Sequence, residues 1–176
     1  PNTSTSQRSK FLWYINAAMP YAYFDLETTG VEADKCDFTC GVLLAKTEPR
    51  IFYTAVDMVT YMKAHPDFVY VTFNGLSFDF RVLAAQCAKN KRPDLAAFVA
   101  ETAVGNCHVD LMFAFTAQHG YFSSLDSFAM QLGFKKSWNG AEAAVSKDVA
   151  AIVAYCTEDV NVMKKVHKAA LEKRYL

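Results

Sequence analysis

Three acidic segments occur in order along the chain: Asp25-Leu-Glu27, Asn74-Gly-Leu-Ser-Phe78-Asp79 and Tyr155-Cys-Thr-Glu-Asp159. Hydrolysing a phosphodiester requires the charge on the phosphoryl oxygens to be neutralised and a water to be activated. Two divalent cations roughly 3.5–4 Å apart supply both. Hard cations such as Mg2+ and Mn2+ prefer carboxylate oxygens. Four carboxylates gathered without a cation would repel and raise one another's pKa, so fold stability is a poor explanation for a converging set. The segments therefore predict metal ligands at Asp25, Glu27, Asp79 and Asp159. Tyr155 stands one helical turn before Asp159, on the same flank. With a phenol pKa near 10, it suits orienting a water better than deprotonating it.

The elements that would have to position these residues follow from local pattern. Tyr21 to Thr28 is aromatic and alternating, which predicts a strand with Asp25 and Glu27 on one face. Phe38 to Lys46 and Arg50 to Val56 read as two strands of a hairpin joined by Thr47-Glu48-Pro49. A helix is expected over Asp57 to His65, ended by Pro66, and then a buried parallel strand over Phe68 to Phe73 closed by Asn74-Gly75. Ser77 reads as the cap of a helix running to Asn90, with Asp79 in its first turn. Further helices are predicted over Asp94 to Thr102, His108 to His119 and Ser124 to Leu132, then a loop over Lys135 to Ala144.

A last helix is expected from Lys147 to Lys173, its apolar stripe formed by Val149, Ile152, Val153, Cys156, Val160, Met163 and Ala170. On that wheel Tyr155 and Asp159 lie roughly 80–120° from the stripe centre and border the core, while Glu158 points to water.

Composition bounds the rest. An apolar fraction of 52% is ample for a core, and the length suits one domain from Phe11 to Leu176 after a polar, disordered tail over Pro1 to Lys10. Eighteen basic residues balance eighteen acidic ones, so no global positive field draws in a polyanion, and any nucleic-acid contact must be local. Five cysteines scattered through core-like sequence suggest thiols in a reducing, intracellular compartment, most simply the cytoplasm. No apolar run is long enough to insert into a membrane.

With its three motifs, the chain resembles the DEDD (DnaQ-like) 3′→5′ exonuclease superfamily in its tyrosine-type branch, over roughly Tyr21 to Val166. Asp-x-Glu matches Asp25 and Glu27, Asn-x-x-x-Phe-Asp matches Asn74, Phe78 and Asp79, and Tyr-x-x-x-Asp matches Tyr155 and Asp159. The resemblance implies an α/β ribonuclease-H-like fold with a mixed five-stranded sheet flanked by helices. It also implies two Mg2+ or Mn2+ ions and stepwise release of nucleoside 5′-monophosphates from 3′ ends. Asp25, Glu27 and Asp159 would surround one ion; Asp25 would also meet the second, which Asp79 would hold through water. Tyr155 would position the nucleophile, Leu26, Thr28 and Thr29 would meet the terminal nucleotide, and Asn74 and Phe78 would line the cleft. Single-stranded DNA is the expected substrate. RNA, short oligonucleotides, or a non-catalytic nucleic-acid-binding role on the same fold are the alternatives, and modest affinity makes a recruiting protein partner plausible.

Each residue also has a plainer role open to it. Asp25 and Glu27 alone could be a solvated strand face, Asp79 a first-turn carboxylate favoured by the helix dipole, and Tyr155 with Asp159 a half-buried pair. Cys36 and Cys40 with Cys107 and His108 do not form a recognised zinc spacing and are expected to be structural. Lys135 and Lys136 could steer phosphate or simply be solvated. His65, His119 and His167 read as surface or cap residues.

Overall fold

Strand β1 (Tyr21–Thr28) organises the molecule because both of its edges are paired. It runs antiparallel to β2 (Phe38–Leu44) and parallel to β4 (Val69–Thr72). β2 pairs on its far side with β3 (Arg50–Phe52), and β4 pairs in parallel with β5 (His108–Asp110). The result is the mixed five-stranded sheet that the resemblance implies, in the order β3-β2-β1-β4-β5. This computed structural model describes residues 20–135 and 148–172. The tail over Pro1 to Lys10, the domain start at Phe11, most of the Lys135 to Ala144 loop including Lys136, and the outermost ends of the last helix lie outside the described residues.

Six helices are described: α1 (Ala55–Lys63), α2 (Asp79–Lys89), α3 (Pro93–Val104), α4 (Leu111–His119), α5 (Leu125–Gln131) and α6 (Val149–Glu172). Alternation along β1 sorts them onto two faces. Ala22, Phe24 and Leu26 pack with Met58, Val59 and Met62 of α1, Phe80 and Leu83 of α2, and Leu95 and Val99 of α3. Tyr23, Val42, Leu44 and Val71 pack instead against Leu111 and Phe115 of α4, Phe128 of α5, and Cys156, Val160 and Met163 of α6. Asp25 and Glu27 share the parity of Tyr23, so they belong to the face that α6 covers.

Several boundaries depart from the sequence expectations, each for a physical reason. The run Arg50 to Val56 stops being strand at Phe52 because Thr54 Oγ1 accepts from the Asp57 N–H at 3.1 Å and starts α1 at Ala55. His108 to His119 is not one helix. His108–Asp110 pairs with Tyr70–Thr72, and the Asp110 carboxylate then accepts from the N–H groups of Met112 at 3.1 Å and Phe113 at 3.4 Å, opening α4. Ser77 is not the cap of α2. The cap is Phe78, with no side-chain cap bond, and Ser77 sits in a turn where its N–H donates to the Asn74 carbonyl at 3.2 Å. Glu158 is half-buried rather than water-facing. His167 is 2% exposed, its Nδ1 3.1 Å from Tyr23 Oη, so it is a core residue and not a surface one.

The turn after β4 depends on Gly75. A methyl group there would collide with the side chain of Thr72, which is fully buried and bonded through Oγ1 to His108 Nε2 at 2.8 Å. Gly75→Ala should therefore cost about 1–3 kcal/mol by forcing a close-packed neighbour to move. A urea midpoint equal to wild type would show that the turn absorbs the methyl.

Candidate active site

The odd-numbered face of β1 presents Asp25 opposite Val42 and Glu27 opposite Cys40. A register irregularity between Glu27 and Thr28 then ends the regular ladder. Helix α6 packs over this face, and the contact that locks its rotation is the Cys156 thiol. Its Sγ donates to the Asp25 backbone carbonyl at 3.4 Å and lies 3.5 Å from Asp25 Oδ2. Donor atoms of Asp25, Glu27 and Cys156 all lie within 4.8 Å of one another. Helix geometry sets Tyr155 and Asp159, four residues apart, on one flank of α6 to the side of Cys156. Tyr155 is half-buried and Asp159 is 9% exposed.

Asp79 arrives from the opposite layer. β4 lies beside β1, and the chain leaves it through Asn74, whose φ of 66° is in the left-handed region that Asn tolerates. Asp110 fastens this turn by accepting from the N–H groups of Asn74 at 3.0 Å and Leu76 at 2.9 Å. Helix α2 consequently begins at Asp79, which is 4% exposed. Its Oδ1 is buried with no hydrogen-bond partner. A buried, unsatisfied carboxylate oxygen costs several kcal/mol unless something satisfies it.

Asp25 feels the charges of the other three acids. Burial pushes the Asp25 carboxyl well above the ordinary range, and the negative charges of Asp79, Asp159 and Glu27 push it further, against a smaller opposing pull from the Cys156 thiol. Asp79 is raised to about 7, chiefly by burial. The charges of Asp110 and Glu27 add to this, while the N–H groups of Asp79 itself and Leu26 oppose it. Gathered like charges hold one another's pKa up. A divalent cation would offset them, and the buried Asp79 Oδ1 fits that need, so the donor chemistry suits Mg2+ or Mn2+.

The remaining residues singled out in the sequence are placed as follows. Leu26 buries its side chain in the core at 5% exposure, leaving only its backbone for any substrate contact. Thr28 is half-buried and its hydroxyl donates to the Gly30 carbonyl at 2.6 Å. Thr29 is exposed, and its Oγ1 accepts from the Asp37 N–H at 2.9 Å. Asn74 and Phe78 are half-buried beside Asp79, with Phe78 leaning on the core. Lys135 is exposed, and Lys136 lies outside the described residues. Among the described residues, Cys36, Cys40, Cys107 and His108 form no ligand group, and both His108 nitrogens are already engaged by Thr72 and Ala103. Sequence reasoning missed two residues. Asp110 looked like part of a helix, and Cys156 was counted as core stripe although it lies between the two residues of the third motif.

A family model described as the RNase_H superfamily matches residues 22–171. The chain belongs to the RNase_H superfamily. No curated protein sequence matches this superfamily member. Among solved structures, it is similar to the family B DNA polymerase of the hyperthermophilic archaeon Pyrobaculum calidifontis, with a TM-score of 0.68 and 16% identity over 87% of this chain and 24% of the polymerase. The zinc-bound form of E. coli exonuclease I in complex with single-stranded DNA aligns with a TM-score of 0.59 and 12% identity, over 88% of this chain and 41% of that one. The exonuclease I of Methylocaldum szegediense gives a TM-score of 0.54 and 14% identity, over 88% and 41%. This RNase_H superfamily member thus spans about a quarter of the polymerase and two-fifths of the exonucleases, and at these identities the likeness is one of fold.

Proposed function

We propose that this chain is a divalent-cation-dependent 3′→5′ exonuclease domain of the tyrosine-using DEDD branch, removing nucleoside 5′-monophosphates from single-stranded DNA. The observation that carries this reading is the convergence of Asp25, Glu27, Asp79 and Asp159, with a buried Asp79 oxygen left unsatisfied by the protein. Asp25, Glu27 and Asp159 would hold one ion, and Asp25 with Asp79 the other. When bound, such ions neutralise phosphoryl charge and make water nucleophilic. The solved neighbours include an exonuclease I bound to single-stranded DNA, which supports the choice of substrate.

The chain's own residues orient and enclose. Tyr155, on the flank of α6 beside the cluster, orients the attacking water through its hydroxyl. Phe78 and Asn74 wall the cleft at the start of α2. The Leu26 backbone with Thr28 and Thr29 meets the terminal nucleotide at the end of β1, and Lys135 and Lys136 steer phosphate. A balanced net charge means that strand affinity is local and modest, so longer substrates would need further domains or a recruiting partner.

The test is a time course on 5′-labelled single-stranded DNA and RNA with Mg2+, Mn2+ or EDTA. A metal-dependent ladder shortening from the 3′ end supports the reading and reports the preferred sugar. Intact strands in every lane, with binding detected separately, would favour a non-catalytic module. Tyr155→Phe should lower turnover by roughly a hundredfold with KM little changed, because it removes an orienting hydroxyl and almost no contact area. Equal turnover in the variant would exclude Tyr155 from the mechanism.

A further inference from the structure

We infer that the cleft between the β2–β3 hairpin and the C-terminal end of α1 is a binding site for a nucleoside monophosphate. It is separate from the acidic cluster, and it does not require the chain to be a nuclease. Lys46, Glu48, Arg50, Tyr61, His65 and Phe68 line this cavity of about 300 Å³, at the small end of the range for ligand pockets. Its place follows from strand alternation. Val42 is the β2 partner of Asp25 and packs on the α6 face of the sheet. Leu43, the next residue, packs with Phe68 on the α1 face, and both border the cavity. A ligand here would therefore lie across the sheet from Asp25 and would not meet the carboxylates.

The cavity is built around one fixed cation. Arg50 lies over the Tyr61 ring, with Cζ 4.5 Å from its centroid. Tyr61 in turn lies 4.1 Å from the His65 ring, which stacks on Phe68 at 5.4 Å. This column of flat groups, rooted in buried Phe68, holds the guanidinium by its face and leaves its N–H edge for a ligand. Among the described residues, no ion pair engages Arg50, Lys46 or Glu48. The Lys46 carbonyl accepts from Lys164 Nζ at 3.0 Å, which ties the hairpin to α6. Two cations therefore stand ready for an oxyanion, and a phosphomonoester, with roughly two negative charges at neutral pH, matches them.

The rest of the lining asks for more than an anion. His65 Nδ1 donates to the Tyr61 carbonyl at 2.7 Å, so the neutral ring keeps Nε2 as an acceptor. Glu48 is a second acceptor, while Leu43 and Phe68 are apolar. Inorganic phosphate would be repelled by Glu48 and would leave the apolar surface uncovered. A fatty acid would cover that surface but bury both acceptors without partners. A nucleoside brings hydroxyl and N–H donors on a flat, largely apolar body, and its 5′-phosphate brings the charge.

The experiment adds thymidine 5′-monophosphate, thymidine or inorganic phosphate to the whole chain in EDTA, following backbone amide shifts by nitrogen-15 NMR and affinity by calorimetry. Chelation denies the acidic cluster any metal-bridged hold on the nucleotide. The monophosphate should shift amides in the Lys46 to Arg50 and Tyr61 to Phe68 segments, and bind roughly tenfold or more tighter than either of its parts. Arg50→Gln and Lys46→Gln, both at exposed positions, should each weaken it by roughly tenfold or more through loss of a charge-assisted hydrogen bond, while Asp25→Asn leaves it unchanged. The inference is overturned by the absence of saturable binding, by shifts confined to Asp25 and the Asn74 to Asp79 turn, by equal affinity for inorganic phosphate, or by wild-type affinity in Arg50→Gln. Metal-dependent cleavage with no nucleotide in the cavity overturns this inference and leaves the proposed function standing; a nucleotide in the cavity without cleavage does the reverse.

Discussion

Asp25→Asn should lower the single-turnover cleavage rate roughly a thousandfold, about 4 kcal/mol of transition-state stabilisation, while the metal-free variant melts no lower than wild type. Both halves follow from one arrangement. Asp25 is the carboxylate on which the charges of Asp79, Asp159 and Glu27 converge, so it is the group whose negative charge the protein alone supports least. Asparagine resembles its protonated form in shape and removes that repulsion, so the metal-free fold should not suffer. The same change removes the donor proposed to be shared by both ions. Divalent cation should therefore raise the wild-type melting temperature, by the equivalent of about 2.7 kcal/mol at a hundredfold excess over Kd, and raise that of Asp25→Asn far less. A variant with the wild-type rate would refute the two-ion assignment. One that lost its rate but also melted early without metal would make Asp25 a structural residue.

The carboxylates could be read from the sequence because their spacing coincides with element geometry. The alternation of Tyr21 to Thr28 put Asp25 and Glu27 on one face, and the strand bounds match. The flank assigned to Tyr155 and Asp159 on the last helix also agrees with their burial. What stayed hidden depended on contacts distant in sequence. His108–Asp110 joins the sheet because β4 offers it an edge, which no local pattern announces. Ser77 has the composition of a cap, yet the turn is held by Asp110, far along the chain, bonding Asn74 and Leu76. Cys156 fitted the apolar stripe equally well as core or as a donor, and only the position of Asp25 under α6 separates the two. Glu158 was assigned to solvent from the wheel alone, which knows nothing of what packs beside the helix.

Histidine 167 was misread for the same reason, and its burial carries the second large expected effect. It lies on α6 about two turns beyond Asp159, edge-on to the Tyr21 and Tyr23 rings, with Nδ1 bonded to Tyr23 Oη. Burial pushes its pKa down to about 4, from an ordinary value near 6.5. The unfolded chain therefore takes up the proton first as pH falls. The histidine's contribution is fully present above about pH 6.5 and is lost progressively toward pH 4, a swing of about 3 kcal/mol. The acidic cluster works the opposite way across much of this window. The raised pKa of Asp79 makes the metal-free fold bind protons more readily than the unfolded chain, so its contribution weakens as pH rises toward 7. The two effects can be separated by comparing wild type with His167→Gln, whose amide can still meet Tyr23 Oη but cannot titrate. Because the cluster is common to both proteins, its contribution cancels in the difference between their urea stabilities. That difference should shrink by about 3 kcal/mol in wild type's disfavour between pH 7 and pH 4. A difference that stays constant across that range would mean that His167 takes up its proton as readily in the folded protein as in the unfolded chain, and the depressed pKa of the buried imidazole would have to be abandoned.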